Sequence, residues 1–148
     1  MLRSRRWLVA AGLLAVLQLP ACTQQTAEAD SATSEPAKVE QVDGSDVSRL
    51  SLTARAVERL GIQTAPVRQA AVAGRALTVV PYGAVLYDAK GATWVYVAPE
   101  PLAYQRERIT VHDIDGDRAL LTDGPAAGTA VVSVGAAELY GTELGVGH

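Results

Sequence analysis

Val80-Pro81-Tyr82-Gly83-Ala84-Val85-Leu86-Tyr87, then Asp88-Ala89-Lys90-Gly91, then Thr93-Trp94-Val95-Tyr96-Val97 is the stretch that decides the fold. β-Branched and aromatic residues run together on either side of a turn. Asp-x-x-Gly supplies that turn with a side-chain acceptor and a residue free to take φ > 0. The reading is strand, turn, strand. The pattern then repeats. Arg106 to Val111 alternates charged and apolar residues, Asp113-Ile114-Asp115-Gly116-Asp117 turns, and Ala119-Leu120-Leu121 returns. Asp123-Gly124-Pro125-Ala126-Ala127-Gly128 turns again, and Ala130 to Val134 closes. Short strands punctuated by Gly, Asp and Pro predict an all-β fold, a small antiparallel β-roll or barrel-like domain.

Working outward, Thr53 is placed to cap one short helix carrying Ala54, Ala56, Val57 and Leu60, with Gly61 ending it. Ile62 to Val67 then reads as an alternating strand. At the other end, Ala136 to His148 predicts a single helical turn and a loose tail. The domain is expected over residues 49–140, with a flexible tail over 141–148.

The chain opens as an export signal. Arg3, Arg5 and Arg6 precede an apolar run of thirteen residues, Trp7 to Leu19, too short to span a bilayer comfortably. Leu19-Pro20-Ala21-Cys22 follows, a small residue before a lone cysteine, as in bacterial lipoprotein signals. Cleavage after residue 21 would leave Cys22 to carry acyl chains. Each buried CH₂ of such a chain contributes about 0.8 kcal/mol of membrane affinity. Cys22 is the only cysteine, so no intramolecular disulfide can staple the fold. Residues 22–48 are predicted to be a lipid-anchored disordered linker, since Thr23 to Ser48 is polar and carries Lys38 against six acids. Residues 49–148 hold nine basic and ten acidic residues, which offers no field for nucleic acid.

The strand-rich stretch resembles the membrane-proximal β-domain of periplasmic adaptor proteins, the membrane fusion proteins of RND-type tripartite efflux systems. Val80, Pro81, Ala84 and Val85 match the family's Val-Pro strand, and Val95, Tyr96 and Val97 the strand after it. Arg108 and Ile109 match its Arg-x-Val strand; Gly124, Gly128, Val131, Val132 and Gly135 match its close. Pro125 and Thr129 depart from the pattern. Leu52, Thr53, Ala56, Gly61, Ile62, Thr64 and Val67 resemble the family's leading segment. Family members place a barrel, a lipoyl-type domain and a helical hairpin between these two parts. Here twelve residues, Arg68 to Val79, separate them. The resemblance therefore covers only the membrane-proximal part of a family member.

No residue is expected to be catalytic. His112 stands beside a turn without a Gly-x-Ser-x-Gly motif. Asp113, Asp115 and Asp117 fit hairpin-turn chemistry; the Gly and Glu positions of a calcium loop are not met. With His148 the last residue, one histidine and one acylated cysteine are too few ligands for zinc or copper, and no cofactor is expected. Trp94 and Tyr96 share a strand face and are expected to fill the core. Arg106 and Arg108, with Tyr104 nearby, are the candidate partner-contact residues.

Two functions remain open. One is a non-enzymatic, membrane-tethered lipoprotein that contacts an envelope transport complex, either an inner-membrane pump or a full-length adaptor. The other is a small-ligand-binding envelope lipoprotein built on the same fold. A flat, partly apolar face near the tether favours the first, a concave apolar pocket with convergent polar groups the second. Both place the protein in the periplasm, held by lipid. The resemblance implies the inner membrane, and Thr23 after the cysteine fits the outer.

Overall fold

The computed structural model describes residues 35–146. The leader, Cys22 and the first part of the expected linker lie outside the described residues. What is described is an antiparallel, mostly β, half-barrel-like domain with two short α-helices.

The described residues open with β1 (Ala37–Gln41) and β2 (Ser48–Leu52), paired from Ala37↔Leu52 to Gln41↔Ser48. Then comes α1 (Ala54–Leu60). The Thr53 hydroxyl accepts from the Ala56 N–H at 3.2 Å, and Gly61 closes the helix at φ 63°. This start and stop are the ones its sequence predicts. Strands β3 (Gln63–Pro66), β4 (Arg68–Val72) and β5 (Arg75–Pro81) follow. A 3₁₀ turn at Tyr82–Ala84 leads to β6 (Leu86–Tyr87), β7 (Thr93–Glu100) and the 13-residue β8 (Ala103–Asp115). The fold ends with β9 (Arg118–Asp123), β10 (Ala130–Val134) and α2 (Ala136–Glu143). The strand order is β3-β10-β7-β8-β9-β5-β4, with β2 also on β8 and β6 on β7.

The long β8 makes the sheet curl. Its first residues pair with β2 and β7, and its last with β9. Between them the register slips around Val111, and such bulges bend a strand and sharpen its twist. The curled sheet has two cores. Val95 and Val131 face Val67, Val80 and Ile109, whereas their neighbours Tyr96 and Val132 face Leu50, Leu52 and Leu139. All four central side chains are fully buried. β7 and β10 are therefore covered on both faces. This explains why their sequences are apolar runs and not alternations.

Four expectations change. The linker is not featureless throughout, because β1 lies within it. Its side chains are almost all exposed, so composition gives no sign of a strand held by backbone pairing alone. The expected strand from Val80 to Tyr87 is broken by the 3₁₀ turn, where Tyr82 N–H donates to the Asp117 carbonyl at 2.7 Å. The Asp113 turn is tighter than read: β8 continues through Asp115, which pairs with Arg118 across Gly116-Asp117. Finally, there are two α-helices among the described residues and not one, and the second runs into the expected tail. Gly135 at φ 87° swings the chain off β10 beside Ile62, and α2 buries Ala136 and Leu139.

Candidate functional site: a clasp and a cleft on one face of the sheet

Alternation along β7 and β8 puts Trp94, Tyr96, Tyr104, Arg106 and Arg108 on one sheet face, with Trp94 opposite Arg108 and Tyr96 opposite Arg106. Cover on this face thins from one end to the other. Tyr104 packs in the core with Leu50 and is 5% exposed. Arg106 lies under α2 with its side chain 10% exposed, and Arg108 is open to solvent. Two of the three residues expected at a partner-contact edge, Tyr104 and Arg106, are thus buried, and this corrects the reading of that strand as an open charged face. The cause is α2, which brings a carboxylate onto Arg106.

That carboxylate is Glu143, with its side chain 3% exposed. Oε2 accepts from Arg106 Nε at 2.7 Å and from the Tyr96 hydroxyl. Oε1 accepts from Arg106 Nη2 at 2.8 Å and from the Ser48 N–H at 3.3 Å. One side chain thus joins α2, β7, β8 and the start of β2. Burial alone would raise the Glu143 carboxyl. The hydrogen bonds from Arg106, Tyr96 and Ser48 outweigh it and hold the carboxyl below its ordinary value. Burial, reinforced by the Glu143 charge, pushes the Tyr96 phenol far up, so it stays protonated and donates. Among the described residues, no buried side-chain polar atom lacks a partner. The bidentate Arg–carboxylate fork is geometrically specific, and Glu143 works as a clasp.

Beside the clasp a cleft of about 560 Å³ opens. Trp94, Arg106 and Arg108 form its floor. Its sides are Asp46 from the β1–β2 loop, the Asp88–Ala92 turn before β7, and Tyr140 from α2. The turn is rigid for the reason its sequence suggests. Asp88 Oδ1 accepts from the Lys90 and Ala92 N–H groups at 2.8 and 2.9 Å, and Oδ2 accepts from Trp94 Nε1 at 3.1 Å. The Trp94 bond, then that from Ala92, holds the Asp88 carboxyl below its usual range. Arg106 is stacked between two rings, 4.8 Å from the Trp94 centroid and 5.3 Å from that of Tyr140. Arg108 stands 5.7 Å from the Trp94 centroid. Trp94 is thus half-buried between core and cleft and is not a core residue outright.

His112, Asp113, Asp115 and Asp117 lie exposed at the far end of β8 and its turn, where Asp115 pairs with Arg118. Sequence reasoning missed Glu143 and the cleft together. The signal was present in Ala136, Leu139, Tyr140 and Glu143, which recur at the spacing of one helical face. Comparison of the chain with protein-family models, with curated proteins and with solved structures found no match.

Proposed function

We propose that this chain is a non-enzymatic, lipid-anchored envelope protein. In this reading it is a reduced counterpart of the membrane-proximal domain of efflux adaptors, and it docks on or regulates an RND-type transport complex. The observation that carries this reading is the β4–β5 hairpin. Arg68 and Val79 bracket the point where the adaptor resemblance places further domains, and they are direct partners in that hairpin. A two-residue loop, Ala73-Gly74, joins the strands. The two chain ends that would lead into and out of an insertion thus lie side by side, and the β-domain closes without one. Such a domain can offer a surface but has no arm to reach an outer-membrane channel. Of the residues first considered for contact, Arg108 is the one at the surface, so it belongs to the docking face.

The test is recovery of the tagged protein from membranes after crosslinking. The expected result is an RND-type inner-membrane transporter or a full-length adaptor in the wild-type sample. Arg108→Glu should reduce that yield at an unchanged melting temperature, and Cys22→Ser should release the protein into the soluble periplasmic fraction. Recovery of neither class of partner, or equal yield with Arg108→Glu and membrane retention of Cys22→Ser, overturns the reading.

A further inference from the structure

The charges around the cleft fall into two groups. Arg106 is neutralised by Glu143, whereas Asp88 keeps its charge near Lys90 but has its oxygens taken by the N–H groups of Lys90, Ala92 and Trp94. Asp46, Lys90 and Arg108 remain, and none of them forms an ion pair among the described residues. They sit on three separate elements that are each held in place. Asp46 lies in a loop pinned by Val47 N–H on Ser45 Oγ at 3.2 Å and by Ser48 N–H on Glu143. Lys90 lies in the turn fixed by Asp88, and Arg108 lies on β8 opposite Trp94. Beside the committed Asp88 carboxylate, one further acid and two bases therefore face a single cleft from separate elements and form no ion pair with one another.

We propose that the cleft binds a small zwitterion, a molecule carrying one acid group and one amine. Arg108 and Lys90 receive the acid and Asp46 the amine, with Trp94 in the floor and Tyr140 at the side. A simple anion would bring a like charge toward Asp46, and a simple cation would meet Arg108 and Lys90. Only a ligand bearing both signs satisfies all three. The guanidinium of Arg108 has its N–H donors available for a carboxylate or a phosphate oxygen. A volume of about 560 Å³ lies within the usual range for small-ligand sites. The acid-plus-amine pair occurs in free amino acids and in the phosphoethanolamine head of a phospholipid. The cleft shares Arg108 with the proposed docking face, but ligand binding needs no protein partner, so either reading can fail without the other.

The experiment titrates the full ¹⁵N-labelled chain and follows the Trp94 indole N–H resonance. The probes are L-alanine, with acetate and ethylamine as its halves, and O-phosphoethanolamine, with inorganic phosphate and ethanolamine as its halves. One of the two zwitterions should shift the resonance saturably and bind at least about tenfold tighter than either of its halves. Arg108→Gln should weaken that binding about tenfold, as expected for one lost charge-assisted contact. Asp46→Asn should abolish the preference over the acid half alone. If alanine is the tighter ligand, the source is a free amino acid. If phosphoethanolamine is, phosphatidylethanolamine vesicles should bind the protein and phosphatidylcholine vesicles should not. The proposal fails if neither zwitterion shifts the resonance at millimolar concentration, if an acid half binds as well as its zwitterion, or if Asp46→Asn leaves the preference intact.

Discussion

Glu143 shows how much one carboxylate does here. Its two oxygens accept from four donors on three other elements. Glu143→Ala would leave Arg106 buried without its counter-charge, and breaking a buried pair in this way costs about 3–5 kcal/mol. Urea unfolding should show a loss of about 3 kcal/mol in that variant, with the slope unchanged. The pH dependence follows from the direction of the shift. The folded-state pKa lies below the ordinary 4.5, so the clasp contributes in full above that value and is lost as pH falls through the lower folded-state value. Glu143→Gln should flatten the acid side of the stability profile. Charge reversal at Arg106 belongs to the same account. It would place two carboxylates together under α2 and unfold the domain, and so cannot serve as a probe of docking.

At the scale of the element, the β4–β5 hairpin carries an avoidable strain. Its two-residue loop takes positive φ at both positions, 48° at Ala73 and 77° at Gly74, as a type I′ turn requires. Gly adopts this without cost, but an alanine in the left-handed region loses roughly 1–2 kcal/mol. Ala73→Asn, the residue preferred at that position, should stabilise the domain by roughly 0.5–1 kcal/mol, read as a higher melting temperature. The sequence showed the elements unevenly, for physical reasons. Thr53 and Gly61 announced α1 because caps are local chemistry. The Asp88 turn was legible because Asp and Gly do the same work in any chain. β1 was not, since its stability comes from backbone pairing with β2 and leaves its polar side chains in water. α2 was only half seen. The glycine at 141 read as the start of the tail, although Ala136, Leu139 and Tyr140 give the helix a buried stripe. The cleft was hidden for a related reason: its walls come from residues 46, 88–92 and 140, which only the fold brings together.

At the scale of the molecule, two cores share β7 and β10, so damage to either strand reaches both. Sequence alternation implied that one of Val131 and Val132 points inward. In the structure both are fully exchanged from water into protein, on opposite faces. Val131→Asp and Val132→Asp should therefore each unfold the domain, each placing an unpaired charge where several kcal/mol of desolvation oppose it. Circular dichroism and one-dimensional proton spectra of the two variants check this, and a native-like spectrum from either would refute it. Elements seen in the sequence as consecutive hairpins turn out to be tied over long distances: β10 pairs with β3 across more than sixty residues, and Glu143 reaches back to Ser48. That last tie has a kinetic meaning. The clasp joins the second strand of the fold to its final helix, so no partial chain can close it. During synthesis the earlier strands must wait, unclasped, until residue 143 emerges. The closing contact thus doubles as a timer, making the emergence of residue 143 the event that commits the domain to its shape.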